Sequence, residues 1–138
     1  MACNAGHEHP CIRRAGGNFE LLKYRHNLFI GARPKAVYQN REFELHPGDC
    51  VFVYTDGVPE ANNGSNTMFR EERLLMALNS CKNGTPEMIV RGVRSAVDAF
   101  VGDTEQFDDI TMLCASYGEN PAPPAARDEA EPGEEKPI

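Results

Sequence analysis

The sequence predicts an α+β fold with a mainly antiparallel sheet. Three observations lead there. Strand-like segments come first, two helical segments follow, and one strand closes the series. Gly16-Gly17 separates two early strands as a hairpin turn. The second helical segment carries start signals, an apolar face and a stop signal in the right order.

Taken in order, Met1–Ala5 reads as a short buried strand ended by Gly6. Cys11–Arg14 and Asn18–Lys23 are the hairpin strands. Arg25–Lys35 reads as a loop punctuated by Gly31 and Pro34. Val37–Leu45 alternates loosely and predicts a strand, and His46-Pro-Gly-Asp49 a turn. Cys50–Thr55 is β-branched and aromatic with apolar side chains on both faces, which predicts a central strand packed on two sides. Asp56-Gly57 ends it.

A helix is expected over about Phe69–Ser80, with Leu74, Leu75 and Leu78 on one face. The next begins with Thr85 as N-cap, Pro86 at the first helical position and Glu87 in the first turn. Ile89, Val93, Ala96, Val97 and Phe100 fall on one helical face, and Gly102 stops it. Ile110–Tyr117 is the last strand, again apolar on both faces. Residues 119–138 hold five of the ten prolines and few large apolar groups, so they predict a disordered Pro/Glu-rich tail after a single domain over 1–118.

Composition excludes several functions. The net charge of −7 argues against nucleic acid as the main partner, because phosphate binding needs a basic surface. The tail has six acids against two bases and carries −4 of that charge. No apolar run approaches the ~20 residues of a membrane span, and no secretory signal is visible. Five cysteines, an odd number without a Cys-x-x-Cys pair, argue against a disulfide framework or zinc ribbon. They imply reduced thiols in a cytoplasmic protein.

Two acidic features stand out. Asp56 in Tyr54-Thr-Asp-Gly57 ends an apolar strand, and Asp108 and Asp109 in Phe107-Asp-Asp-Ile-Thr111 precede another. If those strands are antiparallel neighbours, Asp56 and Asp108 meet at one sheet rim, where loops build sites on a rigid base. Clustered carboxylate oxygens suit Mg²⁺ or Mn²⁺ better than zinc. Taken singly, the first is also an ordinary Asp-Gly turn and the second a solvated acidic loop. His7 and His9 share one side of an extended segment but lack a third soft ligand, so a structural loop is the better reading. Arg13, Arg14 and Lys35 read as solvated charges; the alternative for Arg13, Arg14 or Arg33 is holding a phosphate.

In chain order, the sequence contains Asn4-Ala-Gly-His7, Leu28-Phe-Ile-Gly31, Leu45-His-Pro-Gly-Asp49, Val53-Tyr-Thr-Asp-Gly-Val-Pro-Glu-Ala61, Met68-Phe-Arg-Glu-Glu-Arg-Leu74 and Phe107-Asp-Asp-Ile-Thr-Met-Leu113. This series resembles the C-terminal half of PPM-type (protein phosphatase 2C-like) serine/threonine phosphatases. The bacterial branch typified by stage II sporulation protein E and the sigma-factor regulatory phosphatases is the most similar. The resemblance covers about Met1 to Tyr117.

It implies the C-terminal half of an α-β-β-α sandwich, with two helices on one side of the sheet. It also implies hydrolysis of phosphoserine or phosphothreonine with two Mg²⁺ or Mn²⁺ ions. Asp56 and Asp108 correspond to two metal-ligating acids, Asp109 to a neighbouring second-shell or backup ligand, and Gly57 to the residue that keeps the turn open. The phosphate-binding residues stay unassigned. An Asp-x-Ser-Gly-like segment that serves the second metal precedes these motifs in the family and is absent here. The chain is therefore expected to be a fragment, inactive alone. Arg70 stands where the family commonly has glycine, which reads as a surface change. The partner implied is a phosphorylated regulatory protein such as an anti-sigma-factor antagonist. A non-catalytic phosphatase-like binding module and an unrelated small α+β domain are the alternatives.

Overall fold

The computed structural model describes residues 1–105 and 108–118. Phe107 and the tail 119–138 lie outside the described residues. The elements are β1 (Cys11–Arg13), β2 (Phe19–Leu21), β3 (Cys50–Tyr54), α1 (Arg70–Ser80), α2 (Pro86–Val101) and β4 (Met112–Ser116). The four strands form one sheet in the order β2-β1-β3-β4, and every neighbouring pair is antiparallel. The α+β class and the antiparallel sheet with two helices follow the sequence expectation.

Local chemistry explains the helices. Thr85 accepts a hydrogen bond from the Met88 backbone N–H, and Pro86 occupies the first turn of α2, where its missing N–H costs nothing. Ile89, Val93 and Val97 are buried along one face. In α1 the buried residues are Leu74, Ala77 and Leu78. These faces pack on Cys11, Phe19, Phe52 and Tyr54 to make the core. Leu78, Ile89 and Val93 are fully enclosed, which at about 25 cal/mol per Å² of apolar surface is the main stabilising term.

Three expectations need correction. Val37–Leu45 is no strand. It makes one isolated bridge, Ala2 with Arg41, and Val37 is 84% exposed. Alternation predicts a strand only where a partner strand can satisfy its backbone; here a single bridge to Ala2 and side chains such as Asn27 do so instead. Met1–Ala5 likewise contributes only that bridge, with Met1 and Cys3 exposed. Finally, β3 is not covered on both faces. Cys50, Phe52 and Tyr54 are buried beneath the core, while Val51 and Val53 on the opposite face are only half-buried. In β4, Leu113 on that same open face is 57% exposed.

Arg70 is more than a surface change. It opens α1 with φ 62°, in the left-handed region that favours glycine.

Candidate metal centre

The register of β3 and β4 builds the site. Tyr54, the last residue of β3, pairs with Met112, the first of β4. The segment after β3 and the segment before β4 therefore leave the sheet at one rim. Thr55 fastens them. Its N–H donates to the Thr111 carbonyl at 3.1 Å. Its hydroxyl donates to the Asp109 carbonyl at 3.2 Å and accepts from the Thr111 N–H at 3.1 Å.

Beyond Thr55 the chain turns tightly, with Val58 N–H donating to Thr55 and Glu60 N–H to Asp56, both to backbone carbonyls. Fully buried Val58 anchors this turn to the core. At its start Gly57 packs against Asp109, and a Cβ there would collide with the Asp109 carbonyl oxygen. Gly57 is thus required by close approach rather than by an open turn.

One residue before each member of that contact stands a carboxylate: Asp56 before Gly57, Asp108 before Asp109. Both are exposed, as is Asp109. The Asp108 carboxylate accepts from the Asp109 backbone N–H at 2.7 Å, which orients it. The Asp56 side chain has no hydrogen-bond or ion-pair partner among the described residues. The available donors are all hard oxygens, a chemistry that fits Mg²⁺ or Mn²⁺. The set is partial: among the described residues no three His, Cys, Asp or Glu side chains form a metal-binding group.

Other sequence candidates have local partners. His7 donates its backbone N–H to the Asn4 side chain, and the His9 ring lies 3.0 Å from a ring nitrogen of His26. Arg13 and Arg14 belong to the opposite rim. Arg13 pairs with Cys50 at the start of β3 and sits over the Phe19 ring. Arg14 donates to the buried Asp49 carboxylate at 2.7 Å. That carboxylate also accepts from the backbone N–H groups of Ala15 and His46. The His46 backbone bond, with Arg14 and Ala15 adding to it against the cost of burial, holds Asp49 at about 2. The Pro-Gly-Asp motif is therefore a structural clasp. Arg33 and Lys35 are exposed in the loop.

The residue that sequence reasoning missed is Thr55. Its signal was available: a hydroxyl residue directly before a strand-end aspartate can satisfy the backbone where the ladder stops.

The sequence profile of the stage II sporulation protein E (SpoIIE) family matches residues 1–118. Protein IcfG of Synechocystis sp. is 29% identical over 110 residues, covering 80% of this chain and 17% of that protein. The SiaA-PP2C domain of Pseudomonas aeruginosa superposes with a TM-score of 0.65 at 22% identity, covering 80% of this chain and 44% of that one. The phosphatase domain of the cell fate determinant SpoIIE from Bacillus subtilis, presoaked in manganese, gives 0.62 at 14% identity, with 85% and 50% covered. The chain thus spans half or less of each of these relatives. At these identities the two superpositions speak to the fold, and it is the PP2C fold in part. The chain belongs to the SpoIIE family of PP2C-type phosphatase domains.

Proposed function

We propose that this chain supplies Asp56 and Asp108 to a divalent-cation centre. That centre hydrolyses phosphoserine or phosphothreonine on a regulatory protein, in a cytoplasmic sigma-factor or sporulation-type switch. The observation that carries the reading is the Gly57–Asp109 backbone contact, which brings the segments bearing both acids to one rim. Family membership supports the reaction class, and the manganese-presoaked relative supports the ion.

In this reading Asp56 and Asp108 each offer carboxylate oxygens to one Mg²⁺ or Mn²⁺. When bound, the ions would lower the pKa of water and neutralise charge building on the phosphoryl oxygens. Asp109 orients Asp108 through its N–H, and Thr55 fixes the spacing of the two segments. Such an ion prefers six oxygens, and two carboxylates leave most positions to water, so affinity in this chain alone is weak. The family's Asp-x-Ser-Gly-like segment completes the set. The partner proposed is a phosphorylated protein such as an anti-sigma-factor antagonist.

The test is phosphate release from a phosphoserine peptide with Mn²⁺, by this chain alone and after fusion to the N-terminal half of a family domain. Turnover is expected only in the fusion. There Asp56→Asn or Asp108→Asn lowers it by at least about 100-fold, beyond the usual effect of losing an outer-shell partner, with folding unchanged. Robust turnover by the 138-residue chain that survives both substitutions overturns the assignment. A correctly folded fusion that stays inactive favours the non-catalytic binding module.

A further inference from the structure

On the β3–β4 ladder, back from the acidic rim, lie two thiols that the proposed phosphatase chemistry does not use. Cys50 opens β3 and Cys114 sits mid-way along β4, diagonal to it: Cys50 pairs with Ser116, and Cys114 with Phe52. Both belong to the sheet face that packs against α1 and α2. Their sulfurs are 3.3 Å apart, in S–H···S contact. None of the five cysteines is in a disulfide.

We propose that Cys50 and Cys114 are a reversible oxidation site, closing to a cross-strand disulfide on exposure to a hydroperoxide.

The sulfurs need to approach by little more than an ångström to reach a bond of ~2.05 Å. Diagonal neighbours stand further apart than directly opposed residues, so closing the bond asks the two strands to shift slightly, and a bond formed that way is readily reduced. A labile bond of this kind is regulatory rather than structural. In this proposal Cys50 takes the attacking role. The contact with Cys114 holds its thiol below the ordinary range despite burial, and the nearby Arg13 guanidinium adds to this. Cys114 is the less buried of the two.

The chemistry balances. The Cys50 thiolate attacks one peroxide oxygen, the O–O bond breaks, and water leaves, giving a sulfenic acid. The Cys114 sulfur then displaces the sulfenic hydroxyl as a second water, forming the S–S bond. Two thiols lose two electrons and two protons, and hydrogen peroxide becomes two waters. The product ties together the two strands whose other ends carry Asp56 and Asp108.

The test treats the folded chain with hydrogen peroxide, blocks remaining thiols by alkylation, and maps peptides without reductant. The expected result is a peptide containing Cys50 joined to one containing Cys114, lighter by two hydrogens and separated by dithiothreitol. The link should be lost in Cys114→Ser and, independently, in Cys50→Ala, each with an unchanged circular dichroism spectrum. If either variant unfolds, the other and the wild-type map decide. Recovery of both cysteines in alkylated form while exposed Cys3 is oxidised overturns the proposal. So does a link between any other pair, or a Cys50–Cys114 link that forms only after denaturation.

Discussion

Gly57 and Asp109 meet backbone to carbonyl, so the turn after β3 and the segment before β4 touch with no room for a side chain between them. Gly57→Ala is expected to push the segments apart at a cost of about 1–3 kcal/mol, the usual penalty of forcing atoms into packed space. Urea unfolding measures it. A midpoint equal to wild type would mean that the contact relaxes freely and cannot fix the spacing of Asp56 and Asp108.

The Arg70 backbone gives a prediction of opposite sign. Its φ of 62° costs a side-chain-bearing residue about 1–2 kcal/mol, which glycine avoids while gaining some unfolded-state freedom. Arg70→Gly should therefore raise stability by about 0.5–1 kcal/mol, whereas Arg70→Ala, which keeps a Cβ, should change it little. Equal effects of the two in thermal melts would refute backbone strain at this position.

Asp49 predicts how stability depends on acid. Its folded pKa is lowered from 3.8 to about 2, first by the His46 N–H, with Arg14 and Ala15 adding to it. The stabilisation is then fully present above 3.8 and is lost as the pH falls through about 2. Denaturant midpoints measured across that window should fall, and Asp49→Asn should be less stable above it and flatter within it. A variant as pH-sensitive as wild type there would assign the loss to other carboxylates.

Much of this was legible because the signals are local. Thr85, Pro86 and Gly102 each act on the backbone beside them, so α2 could be bounded from its own residues. The shared rim of Asp56 and Asp108 was legible from two apolar runs with acids at opposite ends, provided the runs pair antiparallel, as β3 and β4 do. What stayed hidden depends on distant partners. Val37–Leu45 has the composition of a strand but makes a single bridge, Arg41 with Ala2, among the described residues. Arg14 reads as a solvated charge until the fold brings buried Asp49 to it. Gly57 reads as a turn glycine because no sequence window contains Asp109 as its neighbour.

The position of β4 at the end of the strand order bears on how the isolated chain behaves at the bench. Among the described residues no strand pairs with β4 on its outer side, and Leu113 stands exposed on its open face. An apolar strand with an unprotected edge is a template for pairing with another copy of itself. Concentrating the isolated 138-residue chain should therefore be limited by self-association that grows with protein concentration. A lysine at Leu113 would be the simplest remedy for solubility.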